Sequence, residues 1–144
     1  MSRTLLPCAL VALTLLAGCD SAESLRVAET RAQLAGTWLR ELDDETTKVR
    51  RVLALGTDGK FSDRLVVTTA GQPAERQEAA GEWSYDGTHL KRRYLQENGR
   101  QFSGGKMRYA TFPLVSVGRS DLVLNDNLQG REVSFRRVPD GTQP

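Results

Sequence analysis

Residues 48–67 read KVRRVLALGTDGKFSDRLVV, and the way this stretch folds back on itself decides the architecture. Two alternating apolar runs flank Thr57-Asp58-Gly59, the pattern of a hairpin. A two-residue turn at Asp58-Gly59 would put Leu53 and Leu55 on the face opposite Phe61 and Leu65. A three-residue loop with Gly59 in the left-handed conformation instead pairs Leu55 with Phe61, Leu53 with Asp63, Arg51 with Leu65 and Val49 with Val67. All the apolar residues then share one face. The same register places Arg51 and Asp63 on that buried face as diagonal neighbours. A lone buried charge is costly and a partner lowers the cost. An Arg51–Asp63 ion pair is therefore expected on the inward side, either as a satisfied structural pair or as a site for a ligand head group.

The rest of the chain from Leu34 onward continues in short strands separated by turn signals. Gly36-Thr37-Trp38-Leu39-Arg40 begins the first strand, Lys48–Leu55 is the second and Lys60–Thr69 the third. A long polar loop is expected over 70–78. Ala79–Tyr85 and Thr88–Gln96 follow, then Met107–Val117 after a bent piece at Gln101–Ser103, then Asp121–Asn125 and Arg131–Val138. Residues 139–144 read as a disordered tail. Asp86-Gly87 and Asn98-Gly99 both suggest two-residue type I′ turns. The first would pair Tyr85 with Thr88, Trp83 with Leu90 and Gly81 with Arg92; the second would pair Leu95 with Phe102. The expected fold is all-β: a small antiparallel up-and-down barrel of about eight strands, closed so that no edge is left open.

The first 33 residues have a different character. Arg3 precedes an apolar run from Leu5 to Leu16, interrupted by Pro7 and Thr14. The run is shorter than the about 20 residues that span a bilayer, and it reads as a signal peptide over 1–18. It ends in Leu16-Ala17-Gly18-Cys19, which resembles the lipobox of bacterial lipoproteins. The resemblance implies cleavage before Cys19, lipidation of Cys19 with diacylglycerol and often a third acyl chain such as palmitate, and anchoring to a membrane of the cell envelope facing the periplasm. Each buried methylene contributes about 0.8 kcal/mol, so two or three chains hold a protein without further help. Asp20, next to the lipidated position, mildly favours the inner membrane in enteric-type bacteria and leaves inner against outer unresolved. The chain has two cysteines; Cys8 would leave with the signal peptide and Cys19 would be acylated, so the mature domain has neither thiol chemistry nor a disulfide. Residues 19–33 then form a spacer, a tether ending in a short helix, before a domain over 34–138.

The order of motifs in that domain is similar to the bacterial lipocalin-like domains. Leu34-x-Gly36-x-Trp38 comes first, then Asp58-Gly59-Lys60-Phe61, then Gly81-Glu82-Trp83-Ser84-Tyr85, then Leu122-x-Leu124, and last Phe135-Arg136-Arg137. The resemblance implies that an arginine of the last strand lies across Trp38 at the closed end of the barrel. Alternation selects Arg137, which shares a face with Val133 and Phe135, and a cation–π contact supplies the physical reason. The chain is shorter than true lipocalins, lacks their disulfide and shows no clear second or third family motif.

Charge and catalytic chemistry narrow the function. The formal net charge is +2, and loss of Arg3 leaves a near-balanced domain. Arg50-Arg51, Arg92-Arg93 and Arg136-Arg137 lie within alternating patterns, so the two members of each pair face opposite sides and build no nucleic-acid stripe. His89 is the single histidine; with no cysteine left, neither a metal site nor a nucleophile–base pair is expected. Asp43-Asp44-Glu45 lacks calcium-loop spacing, and Ser103-Gly104-Gly105-Lys106 reads as a strand break. No catalytic residue and no cofactor is expected. Two binding roles stay open. The barrel interior, with Arg51, Asp63, Trp83, Tyr85, Arg92 and Tyr109, could hold a small apolar or amphipathic ligand. Alternatively the core is solid, and loops over 70–78 and 98–106 contact an envelope protein, as an inhibitor, immunity protein or assembly factor would.

Overall fold

The computed structural model describes residues 18–102, 108–127 and 129–144. All but the last residue of the signal peptide expected over 1–18, and the strand break at Ser103–Lys106, lie outside the described residues. Among the described residues a helix, α1 (Gly18–Leu34), precedes nine strands: β1 (Gly36–Asp43), β2 (Thr47–Leu55), β3 (Lys60–Thr69), β4 (Glu75–Tyr85), β5 (His89–Glu97), β6 (Arg100–Gln101), β7 (Arg108–Val117), β8 (Asp121–Asp126) and β9 (Arg131–Val138). The strands run in the order β4-β3-β2-β1-β9-β8-β7-β5-β6, and pairing of β4 with β5 closes the ring. Eight long antiparallel strands thus form a closed barrel, and the two-residue β6 is an annex on the end of β5.

The hairpin that decided the architecture has the expected register. Leu55 faces Phe61, Leu53 faces Asp63, Arg51 faces Leu65 and Val49 faces Val67, and Gly59 sits at φ +79°. The Asn98-Gly99 turn also forms as read. Asn98 and Gly99 both have positive φ, at 49° and 74°, and the Phe102 amide donates to the Leu95 carbonyl at 2.8 Å.

The Asp86-Gly87 turn is corrected. Tyr85 pairs with Leu90 and Trp83 with Arg92, so the central turn residues are Gly87 and Thr88. Gly87 has φ +102° but Asp86 does not join it at positive φ. Asp86 instead uses its carboxylate, accepting from the amides of Thr88 at 3.0 Å and His89 at 2.7 Å. Lys91, then those two amides, hold this carboxyl far below its usual range. The partner moves by two residues, which leaves every side chain on its expected face.

Three segments carry more structure than their polarity suggested. β4 begins at Glu75, because residues 75–78 pair with Arg64–Val67 of β3 although their side chains are exposed. The loop expected over 70–78 shrinks accordingly. In place of a tether, α1 runs 17 residues without interruption. In place of a disordered tail, residues 139–144 are strapped to the outer face: Arg64 donates to the Thr142 carbonyl at 3.0 Å and to the Gln143 side chain, Arg50 donates to the Gln143 carbonyl at 3.2 Å, and Thr37 donates to Asp140 at 2.6 Å.

The main core fills the barrel with Leu34, Trp38, Leu53, Leu55, Phe61, Trp83, Leu90, Tyr94, Leu122, Leu124, Val133 and Phe135. A smaller cluster, Leu39, Val52 and Val138, lies on the outer face. Two register shifts shape the wall: on β7 Leu114 faces Leu124 but Ser116 faces Val123, and on β5 Leu95 is extra, since Ala80 faces Gln96 but Gly81 faces Tyr94. A Cβ at position 81 would stand 1.9 Å from the Arg93 carbonyl oxygen. Gly81→Ala should therefore cost about 3 kcal/mol, read as a lower midpoint in urea unfolding; an unchanged midpoint would contradict the bulge.

Candidate functional site

The two ends of the barrel are built differently. At the closed end, the Trp38 indole donates to the Leu34 carbonyl at 2.8 Å, and the Arg137 guanidinium lies 4.1 Å from the Trp38 ring centroid. Arg137 also donates to the carbonyls of Arg119 at 2.7 Å, Ala35 at 2.8 Å and Gln33 at 2.6 Å. Gly36 explains its place in Gly-x-Trp: it sits at φ +136°, and a Cβ there would come within 2.2 Å of the Arg137 Nη1. The glycine makes room for the arginine that covers the tryptophan.

Trp83 and Tyr85 belong to this end as well. The Trp83 indole donates to the Gly56 carbonyl at 2.8 Å, and Arg31 of α1 stacks 5.0 Å from its ring. The Tyr85 hydroxyl donates to the Gly87 carbonyl at 2.6 Å. Burial, then the charges of Asp86 and Glu23, raises the phenol above its ordinary value.

At the open end, alternation from the apolar floor brings arginines inward. Asp63, only 6% exposed, accepts from Arg51 Nε at 2.8 Å and Nη2 at 2.5 Å, and from Arg92 Nη1 at 2.6 Å. The ion pair read from the hairpin register is thus a triad with Arg92 of β5. Arg92 is buried and lies over Phe112 at 4.4 Å, Phe61 at 5.3 Å and Tyr94 at 5.4 Å. Its Nε has no hydrogen-bond acceptor, so these rings are what surround it on that side. Arg108 lies 5.1 Å from the Tyr94 ring and is held by both oxygens of Glu97, at 2.6 and 2.7 Å.

Burial works against the Asp63 carboxylate, but the hydrogen bonds and charge of Arg51, then of Arg92, outweigh it and hold the carboxyl below its ordinary value. Arg40 shows the opposite balance. Its pKa is lowered by burial and by the neighbouring charges of Arg131 and Arg51, with Asp126 opposing. A cleft at the mouth has a volume of about 180 Å³ and is lined by Arg51 and Arg108 together with Asp63, Glu78 and Glu97, and by Leu65, Gln77 and Tyr94 among others. Pockets that enclose a small molecule are typically about 300–1,000 Å³.

The residues expected to line an interior site are thus divided. Arg51, Asp63 and Arg92 converge at the mouth, while Trp83 and Tyr85 are engaged at the closed end. Tyr109 is corrected: it is 60% exposed on the outer face, because Ala110 and Phe112 set the inward phase of β7. It faces Arg93 of β5, which itself points outward to Glu82 at 2.7 Å. The side chain of Cys19 lies outside the described residues. Among the described residues, no group of three or more His, Cys, Asp or Glu converges as a metal site would. His89 Nδ1 contacts Thr88 Oγ1 at 2.6 Å and lies 3.6 Å from Asp86. One nitrogen serves both neighbours, which is turn capping and not a nucleophile–base relay.

No protein-family model, curated protein or solved structure matches this chain. The site stands on its own geometry.

Alternation from Trp38, Phe112 and Val133 places Arg40, Arg108 and Arg131 inward as well, three residues absent from the expected interior set. An apolar groove on the outer face, about 490 Å³ in volume, was likewise not expected; in it Leu95 and Phe102 are 44% and 37% exposed beside Ala80 and Gly81. Alternation from Tyr94 already puts Leu95 outward; the extra residue that keeps Gln96 outside as well has no signal beyond Gly81.

Asp63→Asn should cost about 3–5 kcal/mol, because it leaves two inward guanidinium groups without their counter-charge. The sign with pH follows from the lowered carboxyl: its contribution is complete above the ordinary range near pH 4 and is lost as pH falls through the lowered value. Urea midpoints should fall steeply on acidification in the native chain and less in Asp63→Asn. Equal slopes would show that Asp63 contributes nothing to acid unfolding.

Proposed function

We propose that this protein is a lipid-tethered, non-enzymatic binding module of the bacterial cell envelope, anchored through Cys19, whose partner is an envelope protein met on its open end and outer face. What carries this reading is the filled interior. Trp38, Trp83, Phe61 and Tyr94 pack with one another's aliphatic neighbours, the Asp63 triad crosses the barrel above them, and about 180 Å³ of cleft is left at the mouth. Such a barrel presents a rigid surface and encloses little. The exposed Leu95–Phe102 pair gives that surface an apolar contact beside charged Lys60 and Glu82, the mixture that protein interfaces use. The lipocalin-like motif order and the lipobox support the tethered-module reading independently of the cleft. A photo-crosslinker at Phe102 in cells should join the protein to one discrete partner, and the same crosslinker at Thr57, at the closed end, should not. Identical or absent products at both positions would sink the reading. Cys19→Ala should leave the membrane fraction; retention there would remove the tether.

A second reading rests on the arginines alone. The alternation that turns Arg40 inward beside Arg51 suits the anionic head of a small amphipathic molecule, with its apolar part against Leu42, Val49 and Leu65. Titration with anilinonaphthalene sulfonate should then give saturable fluorescence that weakens several-fold in Arg40→Ser, which leaves the Asp63 triad in place. Equal binding by this variant would reject the mouth as an anion site.

A further inference from the structure

We infer that α1 is a rigid arm that holds the closed end of the barrel towards the bilayer and turns the arginine-lined mouth away from it. The inference rests on the tether at Cys19 and adds an orientation to it.

The last two turns of α1 are fastened at four points. Leu34 is fully buried in the main core. The carbonyl of Leu34 accepts from Trp38, and those of Gln33 and Ala35 accept from Arg137. Arg31 stacks on Trp83. Val27 closes on the β4–β5 turn, where a Cβ at Gly87 would meet its Cγ2 at 3.3 Å. Val27, Thr30, Arg31 and Leu34 are the less exposed positions of the helix, spaced as one helical face. Residues 21–26 are exposed, with the Glu23 carboxylate reaching the β4–β5 turn at Gly87, so the helix leaves the core face and runs out past that turn.

The backbone of Cys19 lies within this same helix. At about 1.5 Å per residue, roughly 12 Å of helix axis separates it from Val27. A helix this short does not bend back on itself. The anchor therefore stands on the closed-end side, beyond the Asp86–His89 turn. The mouth, with the loops at 44–46 and 70–74, is at the opposite end of every strand. A flexible spacer would let the barrel roll and present either end to the lipid; a helix fastened into the core does not. The partner of the mouth is then taken from the aqueous side and not from the bilayer that holds the anchor.

The test uses the lipidated protein, purified from membranes and placed in phosphatidylethanolamine–phosphatidylglycerol vesicles carrying a nickel-chelating headgroup. A nitroxide is attached through Thr57→Cys at the closed end or Gln72→Cys at the mouth. Collision with headgroup nickel should be several-fold greater at position 57. Replacing Ser24, Leu25 and Arg26 with glycine should erase most of that difference while the protein stays bound. Equal collision at both positions, greater collision at 72, or a difference untouched by the glycines would overturn the arm and leave the tether standing. Failure to bind vesicles at all would overturn the tether, and the arm with it.

Discussion

Asp63 is the charge on which the interior depends. It lies on β3 and holds Arg51 from β2 and Arg92 from β5, strands that are not neighbours of one another. An inward arginine in a small barrel is tolerable only if its charge is answered, and here one carboxylate answers two. Three consequences meet at this point. The carboxylate position requires the three-residue loop at Thr57–Gly59. The reach to Arg92 requires the β4–β5 closure. The surplus guanidinium charge is spread over the rings of Phe61, Tyr94 and Phe112. The same side chains that stabilise the barrel also fill it.

Much of this was legible from alternation, and the three basic pairs show why. In each pair the two arginines part company across the sheet. Arg51 goes inward to Asp63 while Arg50 reaches Glu41 at 2.7 Å. Arg92 goes inward while Arg93 reaches Glu82. Arg137 covers Trp38 while Arg136 reaches Glu41 at 2.9 Å. A period of two is a geometric property of the strand, so it survives errors in turn placement. The Asp86 turn was read one residue too early, and yet Trp83 and Leu90 stayed inside.

What escaped the sequence has physical causes of two kinds. Asp-Gly and Asn-Gly look alike as turn signals, but Asn98 takes the left-handed conformation while Asp86 spends its carboxylate on the next amides. The difference lies in a side-chain hydrogen bond that no pattern displays. Polar stretches were the second difficulty. Residues 75–78 and 139–144 are ordered through backbone pairing and arginine hydrogen bonds, without a buried apolar face to announce them. Tyr109 was the reverse error: its aromatic character suggested the interior, and the phase of β7 put it outside.

The strap formed by the last residues has a bearing on solubility. It crosses β2 and β3, the strands that carry Val52 and its flanking Arg50 and Arg64, close to the outer cluster of Leu39, Val52 and Val138. Barrels normally keep their outer wall wet, and an apolar triplet there is a place where a second molecule would stick. By drawing two arginines and a length of polar chain over that wall, the strap lets the strands keep β-branched and aliphatic residues on both faces. The protein gains a second small core outside the barrel and covers it with its own chain.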